Sequence, residues 1–338
     1  MSKVSVVILN YNGEKLLKQF LPIVVEHTAN ATIVVADNGS SDQSIPYVKK
    51  NFPTVEVIQL DKNYGFCGGY NLALKKINTP YYVLLNSDIE VTPGWLEPMI
   101  TLLENEPQVA AVQPKILSYH QKDQFEYAGA GGGFIDTLGY PFCRGRIFNH
   151  TEKDEGQYND TREVFWASGA CLVIRSDTYH SLGGLDETFF AHMEEIDLCW
   201  KIHRMGKKVS YCGLSTVFHV GAGTLPRNNP RKTYYNFRNG LSLIYKHLPT
   251  AQLLYKLPLR LLLDMVAALK FMLEGHVNDG IAVIKAILHF LKSLPGTQRQ
   301  RTMLREVYPY SLDKVFRGMI IVDYYLLGKK SIPFKNPK

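Results

Sequence analysis

Four short apolar runs rich in β-branched residues, Val4–Leu9, Thr32–Ala36, Val55–Leu60 and Tyr81–Leu85, alternate with helix-like stretches at Glu14–His27, Ser44–Asn51 and Gly69–Ile77. Strands that alternate with helices argue for a parallel sheet, because parallel neighbours need a crossover and a helix is the crossover that covers an apolar face. Pro93 suits the first turn of a further helix running to Asn105, and Val109–Val112 add another strand. From Asp123 to Arg162 the pattern loosens around Gly129–Gly133 into loops or hairpins, and Trp166–Ile174 return to the sheet. Glu194–Met205 then carry Leu198, Ile202 and Met205 at helical spacing, with Gly206 as the stop, so Glu194 and Glu195 stand at a helix amino terminus.

With 338 residues, 46% of them hydrophobic, the chain can bury a full core and keep room for an appendage. Its net charge of +7 is unevenly spread. Residues 1–230 hold 20 Lys and Arg against 25 Asp and Glu, whereas 231–338 hold 18 against 6. The basic third contains two leucine-rich helical segments. In Ala251–Leu273, Lys256, Arg260 and Asp264 recur every four residues along one face, and in Ile281–Leu294 Lys285, His289 and Lys292 share a face at spacings of four and three. Neither is an uninterrupted apolar stretch of about 20 residues, so no membrane span is expected. The segments are read either as a helical cap on the α/β domain or as helices lying on a membrane surface. Five scattered cysteines without a C-x-x-C, and an amino terminus that runs straight into a strand, point to a reducing cytoplasm and no secretion signal.

The polar residues that carry chemistry sit where apolar runs end, which is where open α/β sheets bind ligands. Asp37, in Asp37-Asn38-Gly39-Ser40-Ser41-Asp42, can accept a hydrogen bond from a base or ribose, or can cap the next helix. The glycine-rich link from Asn63 to Asn71 offers amides to phosphate or sugar oxygens but fits neither G-x-G-x-x-G nor the P-loop pattern. Asp88, closing Asn86-Ser87-Asp88, is a hard oxygen ligand suited to Mg²⁺ or Mn²⁺ shared with phosphates. His219 is a second candidate ligand, followed by Gly221 and Gly223, which let a loop approach a diphosphate. Of the adjacent Glu194 and Glu195, one can face the site as a base of raised pKa; favourable charge at a helix amino terminus is the other reading of the pair.

In order along the chain, Val6-Val7-Ile8-Leu9-Asn10-Tyr11-Asn12, Asp37–Asp42, Asn63-x-Gly65-Phe66-x-x-Gly69, Leu85-Asn86-Ser87-Asp88, Gly183-Gly184-Leu185-Asp186 and Glu194-Glu195-Ile196-Asp197-Leu198-Cys199 resemble the family 2 glycosyltransferases of the GT-A fold. Rhamnosyltransferase-like members of cell-surface polysaccharide pathways look closest. The resemblance implies an α/β GT-A domain over residues 1–245, with a nucleotide-sugar half at 1–115 and an acceptor half at 116–245, followed by a basic amphipathic helical region at 246–338.

It further implies inverting transfer of a sugar, with rhamnose from TDP-rhamnose as the first guess, to a lipid-linked or glycan acceptor. Asn10, Tyr11, Asp37 and Asn38 would hold base and ribose, Asn63 and Gly65 would line the donor cleft, and Asn86, Ser87 and Asp88 would meet the diphosphate. Asp88 takes the last position of the family's D-x-D motif, whose first position is Asn86 here. Metal affinity would then rest on Asp88, His219 and the diphosphate, with Mg²⁺ or Mn²⁺ as cofactor. Glu195, where the family usually has aspartate, would be the base, with Glu194 beside it. Arg238, in Tyr234-Tyr235-x-x-Arg238-Asn239, would neutralise the leaving diphosphate. Gly169, Ala170 and Trp166 look like an acceptor wall, although a core position suits the tryptophan equally. Nucleic acid is not an expected partner, and the protein would work in the cytoplasm, peripheral at the inner face of the cell membrane. The rival readings are a sugar nucleotidyltransferase and an inactive nucleotide-sugar-binding scaffold.

Overall fold

The chain begins with β1 (Val4–Asn10), α1 (Glu14–Glu26), β2 (Thr32–Asp37), α2 (Ser44–Asn51), β3 (Glu56–Gln59), α3 (Gly65–Leu74) and β4 (Tyr81–Asn86), the expected alternation. These elements are taken from a computed structural model that describes residues 2–221, 229–312 and 314–332. β5 (Ile89–Val91), α4 (Glu97–Asn105) and β6 (Val109–Ser118) follow. A small antiparallel sheet of β7 (Gly133–Ile135), β8 (Pro141–Cys143), β9 (Arg146–Ile147) and β10 (His150–Thr151) fills the looser region. The chain then returns through β11 (Thr161–Val164), β12 (Cys171–Arg175), α5 (Ser176–Ser181), α6 (Glu194–Arg204) and β13 (Lys208–His219), and continues into α7 (Pro230–His247), α8 (Thr250–Leu273) and α9 (Val277–Val307), followed by a π-helical turn at Val322–Leu326.

The main sheet has nine strands in the order β11-β13-β6-β12-β4-β1-β2-β3, with β5 paired to β13. β1 pairs in parallel with β2 and β4, β2 with β3, and β6 with β13, while β12 runs antiparallel between β4 and β6. Alternate residues of each inner strand feed opposite cores, as a two-residue period demands. Val4, Val6 and Ile8 of β1 meet Leu17, Leu21 and Val48 of α1 and α2, whereas Val7 joins Tyr70 and Leu74 of α3 and Leu198 of α6 on the other face. β1, β2 and β4, buried on both sides, read as continuous apolar runs, whereas β3 is an edge strand with Glu56 and Gln59 exposed.

Three boundaries depart from expectation. α3 starts at Gly65, four residues before Gly69, because its glycines are needed for contact: a Cβ on Gly69 would sit 2.8 Å from Leu9 Cδ1 and 2.9 Å from Asn38 Nδ2. Pro98, not Pro93, occupies the first turn of α4, since Gly94 at φ +70° turns the chain before it. In Trp166–Ile174 only the residues from Cys171 onward form a strand. The preceding turn is held by the Ser168 N–H donating to Gln113 Oε1 (2.9 Å).

Candidate active site

The strand order reverses at β1, with β2 and β3 on one side and β4 on the other, so a crevice opens beyond the carboxyl ends of β1, β2 and β4. Asn10, Asp37 and Asn86 are the last residues of these strands. Asn10 Nδ2 donates to Asp37 Oδ1 (3.2 Å) and to the hydroxyls of Ser40 (3.1 Å) and Ser44 (2.9 Å). Asn38 Nδ2 donates to Asn63 Oδ1 (3.1 Å) and Gly65 O (2.9 Å), and Asn38 Oδ1 accepts from Tyr64 N–H (2.9 Å). Asn10 and Asn38 are thus buried staples that shape the loops, whereas Tyr11, 51% exposed, offers an open ring beside them. Asp42 adds a staple the sequence reading left without a role, accepting the amides of Glu14 (3.0 Å) and Ser44 (3.1 Å).

Asp88 lies between β4 and β5, and the pairing of Ile89 with His219 brings the end of β13 to it. His219 Nε2 stands 3.2 Å from Asp88 Oδ1, and its Nδ1 stands 3.3 Å from Glu126 Oε2, with all three side chains buried. Burial alone would lower the His219 pKa, but Glu126 and Asp88 outweigh it and raise it to about 10. Burial likewise pushes the Glu126 carboxyl up, and the His219 charge more than offsets this, holding it below its ordinary value. Glu126 carried no periodic or motif signal in its loop. Gly221 at φ +63° abuts it, a Cβ there falling 2.5 Å from Glu126 Oε1. Gly223 lies outside the described residues. Among the described residues no group of three or more His, Cys, Asp or Glu is arranged to hold a metal ion.

α6 presents the other carboxylates. Its first turn holds Glu194, Glu195 and Asp197 and its last turn Lys201, His203 and Arg204, a distribution that complements the helix dipole. Glu194 is buried and Glu195 nearly so, and the Oε2 of each is buried without a hydrogen-bond partner. Burial pushes both pKa values up, Glu195 to about 7 and Glu194, which also feels the Glu195 charge, well above the carboxylate range. The two carboxyls titrate as a pair, so burial and their mutual repulsion let them share a proton near neutral pH.

Gly169 joins the two halves. A Cβ built on it would lie 3.7 Å from Glu195 Cβ and 3.6 Å from Phe66 Cζ, and its neighbour Ala170 accepts the Asn86 N–H (2.9 Å). Glu195 thus stands across one glycine turn from the Asn86-Ser87-Asp88 strand end. Trp166 does not form an exposed wall: it is buried, its indole covers Gly133, and its Nε1–H donates to Phe134 O (2.8 Å).

The approach to α6 is strained, with Phe190, His192 and Met193 at φ between +64° and +72°. Asn239, a residue the sequence reading quoted without a role, holds this loop by donating from Nδ2 to the carbonyls of Phe189 (3.1 Å), Ala191 (2.9 Å) and His192 (2.7 Å). Arg238 donates from Nη2 to Thr188 O (2.8 Å) and Phe189 O (2.7 Å), so these contacts go to the loop and not to a phosphate cradle. Gly65 at φ +72° lets Phe190 close on the start of α3, where a Cβ would meet its ring at 2.9 Å.

The profile described as glycosyl transferase family 2 matches residues 5–181, more than half of the chain. The N-acetylglucosaminyl-diphospho-decaprenol L-rhamnosyltransferase of Mycobacterium tuberculosis is 24% identical over 242 residues, 66% of this chain and 78% of that protein. The structure of S. aureus TarS 1-349 in complex with UDP-GlcNAc superposes with a TM-score of 0.56 at 16% identity, covering 90% of this chain and 86% of that one. GalNAc-T7 with UDP, GalNAc and Mn²⁺ gives a TM-score of 0.58 at 17% identity over 74% of this chain, which spans about half (49%) of that one. The sheet, its crevice and the family match agree: the chain belongs to glycosyl transferase family 2 and is a glycosyltransferase of the GT-A fold.

Proposed function

We propose that this protein transfers a sugar, with rhamnose from TDP-rhamnose as the first donor to test, onto a lipid-linked acceptor with inversion at the anomeric carbon. The observation that carries the reading is Glu195, which stands beside Gly169 with a buried, unpartnered carboxylate oxygen and a pKa near neutrality. Glu195 takes the proton of the acceptor hydroxyl as that oxygen bonds to the anomeric carbon. The bond to the nucleoside diphosphate breaks and its electron pair leaves with the diphosphate. Tyr11, Asp37, Asn38, Asn63 and Gly65 shape the nucleoside end of the crevice, and Asn86, Ser87 and Asp88 its diphosphate end. Arg238 and Asn239 position the loop that delivers Glu195. The name of the Mycobacterium tuberculosis relative supports a prenyl-diphosphate-linked acceptor. A nucleotidyltransferase would give Glu195 no task.

Asp88 and His219 suit a divalent cation. They would hold it with their facing polar atoms, 3.2 Å apart and buried, and Glu126 stands behind the imidazole as an orienting carboxylate. When bound, Mg²⁺ or Mn²⁺ would neutralise charge on the departing diphosphate. His219, whose pKa Glu126 and Asp88 raise, would have to give up its proton to hold a cation, so the apparent affinity should rise with pH. Calorimetry in buffers of differing ionisation enthalpy should show a proton released per ion bound. His219→Gln, which has no such proton to lose, should abolish the pH-dependent part.

Asn239→Ala removes donors to three carbonyls that hold the strained loop. The expected result is a kcat lower by roughly 10²-fold with donor KM little changed, since displacing a catalytic group by about 1 Å costs that much. The reading as a whole is tested by nucleoside diphosphate release from TDP-rhamnose, UDP-sugars and GDP-sugars with N-acetylglucosaminyl-diphospho-prenol as acceptor. Release that depends on both cation and acceptor supports it, and donor binding without release from any sugar tells against it.

A further inference from the structure

α8 is amphipathic in the sense opposite to a helix that covers a soluble core. Its polar stripe of Lys256, Arg260 and Asp264 is 8%, 3% and 0% exposed, whereas Leu254, Leu262, Val266, Leu269 and Leu273 are 55–79% exposed. An ordinary surface helix turns its apolar stripe inward. The rotation of α8 is set by specific bonds. Arg260 Nε donates to Asp264 Oδ1 (2.8 Å) and its Nη1 to Leu138 O (3.0 Å), Tyr140 O–H donates to Asp264 Oδ1 (3.0 Å), and the Arg260 guanidinium lies 3.6 Å from the Tyr140 ring centroid. Rolling the leucines inward would break this buried pair and set its charges in water or against carbon.

The neighbouring helix completes the surface. Along α9, Ile281, Lys285, Leu288, Lys292, Pro295 and Arg299 recur at three- and four-residue spacing and are all exposed, a row in which every second residue is basic. Between the two helices runs an apolar cleft of about 370 Å³ lined by Met265, Leu269, Met272 and Ile284. From Leu254 to Leu273 the apolar face is about 29 Å long at 1.5 Å per residue. Among the described residues no helix is long and apolar enough to cross a membrane.

We infer that the outward face of α8, with the basic row of α9 beside it, seats the protein on an anionic lipid bilayer, lying in the plane of its surface. The leucines enter the acyl boundary and Lys285, Lys292 and Arg299 meet the headgroups. Charge favours this occupant over a second copy of the chain, which would bring its own basic row to the same seam. The inference stands on helix faces, and takes from the proposed function only that a lipid-linked acceptor would lie at such a surface.

Sedimentation of the full chain with vesicles of phosphatidylcholine, alone or mixed with phosphatidylglycerol, tests it. The wild type should pellet with the mixed vesicles only. Lys285→Gln with Lys292→Gln should weaken binding by roughly tenfold, and less as salt rises. Leu262→Gln, Leu269→Gln and Leu273→Gln together should abolish it. Calorimetric donor binding, unchanged in both variants, shows that they fold. Donor binding absent even from the wild type would count against the proposed function and leave the vesicle result standing. The inference is overturned if the wild type stays in the supernatant, if it pellets equally with phosphatidylcholine alone, or if the variants pellet like the wild type. A dimer in lipid-free solution that the leucine changes dissociate would assign the face to a second copy and overturn it equally.

Discussion

Glu195→Gln should lower kcat by roughly 10²–10⁴-fold, the usual worth of a positioned general base, while donor binding is retained. The amide keeps the shape of the side chain beside Gly169 but cannot accept a proton. In the wild type the rate should fall about tenfold per unit below pH 7, because Glu195 then holds a proton, and this acidic limb should be absent from the residual rate of the variant. Stability should move the other way. The folded-state pKa of Glu195 lies above its ordinary value of 4.5, so the folded protein binds more protons than the unfolded chain between pH 4.5 and 7 and loses stability as pH rises through that window. Above pH 7 the glutamine variant should be the more stable by on the order of 1–3 kcal/mol, measured by urea unfolding. A base buried at a cost to stability is the signature of a site retained for its chemistry.

Asp197→Ala should have the largest effect on stability. The carboxylate of Asp197 is fully buried and meets Lys201 Nζ (2.7 Å), Lys246 Nζ (2.6 Å) and His247 Nε2 (2.9 Å), and Lys246 in turn reaches Asp186 (2.6 Å). Burial would raise its pKa, but the two ammonium groups and the His247 hydrogen bond outweigh it and hold Asp197 well below its ordinary value of 3.8. Removing one partner leaves Lys201 and Lys246 buried without their shared counter-charge, a loss of about 3–5 kcal/mol. Because the folded-state pKa is depressed, the stabilisation is present above the unfolded value near 4 and is lost as pH falls below it. The network ties α6 to α7, with His247 stacked on Trp200 at 4.7 Å, and so fixes the helix that carries Glu195. Thermal unfolding of Asp197→Ala beside Glu195→Gln separates the roles, since the first should lower Tm sharply and the second should not.

The ends of the buried strands were legible because parallel strands covered on both faces leave little but apolar residues in the sequence, so Asp37 and Asp88 stand out where the runs stop. The carboxylates of α6 were legible as a pair at a helix start, yet Asp197 stood in the sequence only as a member of the motif that follows them. Lys201 is a local partner four residues on, but Lys246 and His247 lie on a helix some fifty residues later, and no local pattern joins them. Glu126 stayed hidden for the same reason: it reaches His219 from an irregular loop. The glycines before Gly69 read as a link leading into a helix, and only packing against Leu9, Asn38 and Phe190 explains why the helix begins among them. The polar stripe of α8 was visible in the sequence, but which side of the helix faces the protein is settled by Tyr140 and Leu138, residues far from it in the chain.

The anomeric configuration of the product decides the role of Glu195. The glycolipid made from the proposed donor and a prenyl-diphosphate acceptor can be read by its one-bond carbon–proton coupling in NMR. A configuration opposite to that of the donor is the predicted result, as a single displacement assisted by Glu195 requires. A retained configuration would place a second displacement or a covalent sugar–enzyme intermediate on the path and would contradict Glu195 as the base of an inverting transfer.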